Sequence, residues 1–196
     1  MHDGLSPRGA TCLLFDWDGT LVDSQTANYR AMAKALATEG IDLEQQWFDG
    51  RTGLSSAEMI ASFVSERSLR LARPIPELVA ERDRHFLSIA HTVRPHPCIR
   101  DVVDYAAGRI PMAIASGSTR SMIEATLPHQ PFHDAFDLII TRDDVARGKP
   151  APDIFLTAAR RLRVAPRDCL VYEDSDEGIA AAEAAAMPAI DIRPYR

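Results

Sequence analysis

Five short apolar runs that do not alternate with polar residues constrain this chain most. They are Cys12–Phe15 before Asp16, Ile110–Ala115 before Ser116, Asp137–Ile140 before Thr141, Cys169–Tyr172 before Glu173, and Ala189–Ile192. A strand with one wet face alternates, whereas an unbroken run of this length suits a parallel strand covered on both faces. From Ile110 onward, stretches of helical character separate the runs: Thr119–Leu127, Pro152–Leu162 and Ser175–Met187. Strand and helix in that rhythm predict βαβ units, hence an α/β fold with a doubly wound parallel sheet.

Between the first and second runs the pattern changes. Ala27–Glu39, Ser56–Leu71 and Pro76–Ala90 look helical, with Pro74, Pro76, Pro95 and Pro97 as breaks. A right-handed crossover needs only about a dozen residues. The excess is expected to form an α-helical subdomain at 25–94, inserted into a core of 1–24 and 95–196. The length supports this: a chain of 196 residues buries about 70% of its unfolded surface. The alanine-rich stretch at 180–186 reads as a closely docked helix.

Charge and cysteine content narrow the function classes. Lys and Arg total 22 against 28 Asp and Glu, a net charge of −6 with no basic block. A nucleic-acid partner held by phosphate neutralisation is therefore not expected. No apolar stretch approaches the ~18 residues of a membrane span, and the first ten residues lack a signal-peptide core. The expected location is the cytoplasm, with no membrane partner. Three cysteines (Cys12, Cys98, Cys169) cannot all pair and show no metal-site spacing. Cys12 and Cys169 lie in apolar runs as small hydrophobes, which fits a reducing compartment.

In open parallel sheets, ligands bind beyond the carboxyl ends of the strands. The first run delivers Asp16-Trp17-Asp18-Gly19-Thr20 there, and the second delivers Ser116-Gly117-Ser118. The third leads to Gly148-Lys149-Pro150, and the fourth to Glu173-Asp174-Ser175. Two like charges 4 Å apart repel by about 4 kcal/mol at an effective dielectric near 20. Such an acid cluster calls for a hard divalent cation and a basic side chain. Lysine is rare here: Lys34 and Lys149 stand beside twenty arginines, so a lysine bracketed by glycine and proline suggests a required point charge.

This constellation resembles the haloacid dehalogenase superfamily. Asp16-Trp17-Asp18-Gly19-Thr20 is similar to its first motif, D-x-D-G-T, and Ser116 to its second. Lys149 in Gly-Lys-Pro-Ala-Pro-Asp resembles the third, and Glu173-Asp174-Ser175 the fourth. The resemblance implies a Rossmann-like core with a small helical cap, in the branch of β-phosphoglucomutase and sugar-phosphate phosphatases. It implies Asp16 as a nucleophile that forms an aspartyl-phosphate, and Asp18 as general acid and then base. Ser116 and Gly117 are expected to donate hydrogen bonds to the phosphoryl group, with Thr20 on the substrate side and Lys149 offsetting charge. Mg²⁺ takes oxygen ligands, and Asp16, Asp174, Glu173 and the backbone carbonyl of Asp18 are the expected set.

The cap decides between rival activities. The mutase pattern places a histidine twelve residues after the nucleophile, where this chain has Asn28. It also carries a phosphate-gripping arginine in a turn of the form G-x-S-R, and the nearest match is Gly53-Leu54-Ser55-Ser56. Losing that arginine removes a bidentate phosphate fork, so hydrolysis is favoured. Arg51 from a shifted position and Arg82 on a cap helix are the candidate substrate contacts, with solvated surface arginines as the alternative for each. His85, His91 and His96 read as surface or packing residues.

The ordering around Gly53, the lysine segment and the Ile190–Arg193 end are similar to bacterial phosphatases of fructose-1-phosphate or 6-phosphogluconate. The expectation is a monomeric Mg²⁺-dependent phosphatase of small phosphorylated metabolites. The alternatives are a β-phosphoglucomutase-type isomerase and a non-enzymatic phosphoacceptor module. The latter has no use for a cap or for a second acid at i+2.

Overall fold

The computed structural model describes residues 2–7, 9–51 and 54–196. Its chain contacts divide into two units, Met1–Asp23 with Val93–Arg196, and Ser24–Thr92. The first unit opens with β1 (Cys12–Phe15) and β2 (Val22–Asp23). The second holds α1 (Gln25–Ala37), α2 (Gln45–Asp49), α3 (Ser56–Glu66) and α4 (Ile75–Ile89). The chain returns to the first with β3 (Arg94–Pro95), α5 (Pro97–Ala106), β4 (Met112–Ala115), α6 (Arg120–Thr126) and β5 (Leu138–Ile140). It finishes with α7 (Asp153–Leu162), β6 (Cys169–Glu173), α8 (Asp176–Ala184) and β7 (Ala189–Asp191).

All five apolar runs become strands of one parallel sheet, in the order β5-β4-β1-β6-β7. β1 lies at the centre, and its four side chains are fully buried. Each of its larger side chains contributes about 1.5–3 kcal/mol relative to exposure, which is why Cys-Leu-Leu-Phe carries no polar residue. Phe15 sits in register with Ile114 on one side and Tyr172 on the other. Its ring stacks on Tyr172 at 4.9 Å. That register puts Asp16 level with Glu173, with Ser116 one residue further along at the same end of the sheet.

The helices of this unit bury apolar stripes. α7 turns Ile154, Phe155, Ala158 and Ala159 into the core beside Leu14, Ala113 and Val171. It ends at Arg163, which adopts a left-handed conformation with φ 60°. The alanine-rich stretch is helical as far as Ala184, beyond which the chain turns through Ala186 at φ 56°, and it packs Ala181 and Ala182 into the same core.

The helical unit has its own core, in which Met32, Leu36, Trp47, Phe48, Ile60, Phe63 and Leu78 meet. Trp47 and Phe63 pack edge to face at 4.7 Å, a favoured quadrupolar arrangement. α3 starts with a reciprocal capping box between Ser55 and Glu58.

Two sequence expectations need correction, and one element was not foreseen. The helix expected over 56–71 stops at Glu66, because the chain turns through Ser68 at φ 52°. Pro97 opens a helix rather than breaking one: it is the first residue of α5, where its missing N–H would have had no partner. The two-residue antiparallel pair β2–β3 was not visible in the pattern, being too short to show a period.

Candidate active site

The site grows from the loop after β1. Asp16 accepts no solvent to speak of, at 6% exposure, and its backbone N–H donates to the Tyr172 carbonyl at 3.0 Å. The chain then doubles back: Gly19 N–H donates to Val22 O at 2.8 Å, and Leu21 and Val22 N–H groups donate to Trp17 O at 3.0 and 3.1 Å. Gly19 adopts φ 82°, and a Cβ there would run into the Asp174 carboxylate. A glycine is therefore required both by conformation and by close approach.

Lys149 reaches this loop from the segment before α7. Its ammonium donates to Asp16 Oδ1 at 2.5 Å and to Glu173 Oε2 at 2.6 Å, with its nitrogen 5.1 Å from the centre of the Phe155 ring. Glu173 is buried, and its other oxygen accepts from the Asp174 and Ser175 N–H groups at 3.1 Å and from Ser175 Oγ at 2.8 Å. Gly178 permits this, since a Cβ there would collide with the Glu173 side chain. Asp174 accepts from Thr20 Oγ1 at 3.1 Å and from Arg196 Nη1 at 3.0 Å.

Ser116 and Ser118 link β4 to Asp18. Ser116 is fully buried and its Oγ accepts from the Ser118 N–H at 3.0 Å; Ser118 Oγ donates to Asp18 Oδ2 at 2.5 Å. Gly117 between them is exposed.

The electrostatics follow from too many acids around one ammonium. Burial, and then the charge of Glu173, push the Asp16 carboxyl well above its ordinary value, against the pull of Lys149. Burial and Glu173 likewise raise Asp174, opposed by Arg196. For Lys149 burial favours loss of the proton, but Asp16 and Glu173 outweigh it and hold the ammonium above the usual lysine value. One oxygen each from Asp16, Glu173 and Asp174 lie within 4.8 Å of one another. An all-oxygen donor set with excess negative charge fits a hard divalent cation.

The structure thus brings together Asp16, Asp18, Thr20, Ser116, Lys149, Glu173 and Asp174 in the sheet unit. The two arginine candidates belong to the helical unit. Arg51 pairs with Glu66 at 2.9 Å and lies over the Trp47 ring at 4.1 Å. Arg82 is buried, donating to Asp83 at 2.9 Å and to the Asn28 side-chain oxygen. Gly53 of the expected phosphate turn lies outside the described residues. Sequence reasoning missed Ser118 as a partner of Asp18, although it shares the strand end with Ser116. It also missed Arg196, for which no local signal exists.

Comparisons with known proteins agree with this geometry. A family model of haloacid dehalogenase-like hydrolases matches residues 10–186. The fructose-1-phosphate phosphatase YqaB of Escherichia coli K12 is 37% identical over 192 residues, covering 92% of this chain and 95% of that protein. The crystal structure of CbbY from Rhodobacter sphaeroides in complex with phosphate superposes with a TM-score of 0.79 at 28% identity, covering 92% of this chain and 84% of that one. A β-phosphoglucomutase structure from Clostridium difficile gives a TM-score of 0.77 at 25% identity, covering 92% of this chain and 83% of that one. Among the described residues, no helix is long and apolar enough to cross a membrane.

Proposed function

The chain belongs to the haloacid dehalogenase-like hydrolases, and on that footing we propose that it is a Mg²⁺-dependent phosphatase of small sugar phosphates working through an aspartyl-phosphate. The observation that carries this reading is the Lys149 ammonium bonded at once to Asp16 and Glu173, within a buried acidic cluster that includes Asp174.

Each residue has a part. An Asp16 oxygen attacks phosphorus; the ester P–O bond breaks, and the leaving alkoxide takes the proton carried by Asp18. Asp18, now a carboxylate held by Ser118, takes a proton from water whose oxygen attacks the same phosphorus. The P–O bond to Asp16 breaks, releasing inorganic phosphate and restoring both acids. Lys149 offsets charge on the transferring group, and Ser116 and Gly117 orient it. Glu173, with both oxygens engaged, holds Lys149 in place. Asp16, Asp174 and the Asp18 backbone carbonyl would hold Mg²⁺, with Glu173 close by. When bound, the ion supplies positive charge against the phosphoryl oxygens.

A mutase is the second reading, because of the β-phosphoglucomutase likeness. Three features of this chain weigh against it: Asn28 in place of the histidine, Ser56 in place of the arginine, and Arg51 already taken up by Glu66 and Trp47. The test is an assay against fructose-1-phosphate, 6-phosphogluconate and β-glucose-1-phosphate, with Mg²⁺ and with chelator. The expected result is phosphate release that chelation abolishes. Conversion of β-glucose-1-phosphate to glucose-6-phosphate without net phosphate release would overturn it. Asp18→Asn separates the phosphoacceptor alternative, which would still take phosphate from a donor.

A further inference from the structure

Arg196 comes to this site from the segment after β7 rather than from a strand end. Its Nη1 donates to the Gly19 carbonyl at 2.9 Å and to Asp174 Oδ2 at 3.0 Å. A single nitrogen with two hydrogens therefore ties the loop after β1 to the residue after β6. The other Asp174 oxygen accepts from Thr20 Oγ1 at 3.1 Å, again from the loop after β1. Asp174 is gripped through both oxygens. Each carboxylate oxygen has two lone-pair sites, so one on each stays available for a cation.

The arm that carries the guanidinium is itself fixed. The Ile192 N–H donates to the Glu173 carbonyl at 2.9 Å, and the Tyr195 N–H to Ile192 O at 2.9 Å. The Tyr195 ring packs against His2 at 4.8 Å and so closely over Gly4 that a Cβ there would collide with it. Arg196 is delivered by packing, not left to wander.

We propose that Arg196 is a positioning residue for the divalent cation: it locks Asp174 against the 16–20 loop and acts on the ion only through Asp174. This rests on the Mg²⁺-dependent reading above. Two effects compete. The guanidinium charge opposes a second cation, but its side chain is a third exposed, where water screens such charges strongly. Holding a ligating carboxylate in its binding geometry is typically worth 10–100-fold in metal affinity. Positioning therefore outweighs repulsion.

The test is calorimetric titration of Mg²⁺ into metal-free protein, wild type against Arg196→Ala and Arg196→Lys, with thermal denaturation of each. Arg196→Ala is expected to bind Mg²⁺ about tenfold more weakly. Arg196→Lys, which keeps the charge and a donor but not the planar fork, is expected to fall between. In assays the loss should appear as a raised Mg²⁺ requirement rather than as lower turnover at saturating Mg²⁺. Unchanged or tighter Mg²⁺ binding in a folded Arg196→Ala overturns the proposal, as does turnover lost at saturating Mg²⁺. If Arg196→Ala does not fold, an Arg196→Lys that binds like wild type overturns it. A wild-type protein that binds no Mg²⁺ removes the functional reading as well.

Discussion

In the helical unit, acids are met by arginines: Arg73 joins Glu39 at 2.7 Å and Glu81 at 2.5 Å, Arg51 joins Glu66, and Arg67 joins Glu44. At the carboxyl end of the sheet, one ammonium faces Asp16 and Glu173, with Asp174 close by. The consequences have opposite sign. The bond to Arg73 holds Glu39 and Glu81 below the ordinary carboxylate range, and Trp47 and Arg51 do the same for Glu66. Burial and crowding drive Asp16 and Asp174 above it. Charge in the helical unit supports the fold. Charge at the sheet works against the fold, which on the proposed reading is a stability–activity trade-off.

Asp16→Asn tests this most severely. Turnover should fall by at least about 10³-fold, since the proposed nucleophile is gone. Thermal denaturation without metal should show a higher melting temperature than wild type, because one crowded charge has been removed. Phosphate release at the wild-type rate would sink the mechanism, and a lower melting temperature would sink the crowding argument. Lys149→Met comes next. It leaves two buried carboxylates without their ammonium, and breaking a buried pair costs about 3–5 kcal/mol. For a chain of this size that is roughly 6–20 °C in melting temperature. A shift within experimental error would mean that Lys149 is not the counter-charge the geometry implies.

The two regions also differ in how far the sequence reveals them. Every strand of the sheet could be read, because full burial on both faces forces an unbroken apolar run such as Cys12–Phe15. The acids and the lysine could be read because strand ends dictate their place and glycines mark the turns around them. The helical unit shows its helices but not the partners of its arginines. Arg82 and Asn28 are 54 residues apart in sequence, and nothing in a one-dimensional pattern pairs them. Arg196 was hidden for the same reason: its partner Asp174 is 22 residues away, reached only after the chain has packed through Tyr195.

Acid titration separates the two kinds of charge at smaller amplitude. Asp16 and Asp174 have folded pKa values above their ordinary 3.8. Their contribution to stability is fully present below 3.8 and is lost as pH rises through the raised folded values. Glu39 and Glu81 are depressed below their ordinary 4.5, so their contribution is present above 4.5 and lost as pH falls through the lowered values. Melting curves of metal-free wild type, Asp174→Asn and Arg73→Ala from pH 7 to pH 4 check this. At pH 7 Asp174→Asn should melt above wild type and Arg73→Ala below it. The Asp174→Asn advantage should shrink on acidification as wild type protonates. The Arg73→Ala deficit should hold until pH drops below 4.5. Two gaps of the same sign at pH 7 would erase the distinction between the regions.

The smallest effect lies at the start of α3. Ser55 Oγ accepts from the Glu58 N–H at 3.3 Å, and the Glu58 carboxylate accepts from the Ser55 N–H at 2.9 Å. Ser55→Ala leaves the Glu58 N–H without its acceptor, which costs about 1 kcal/mol at a helix N-cap, or roughly 2–4 °C. Ser55→Gly should cost more than wild type but less than Ser55→Ala, because glycine leaves the first turn open to water. A polar group whose work is confined to the helical unit should change melting temperature while Mg²⁺ binding, measured by titration, stays at the wild-type value. Substitutions around Asp174 should move Mg²⁺ binding instead. If Ser55→Ala weakened Mg²⁺ binding as much as Arg196→Ala does, the division of labour between the two units would fail, since a helix cap would then be setting the geometry of the carboxylates.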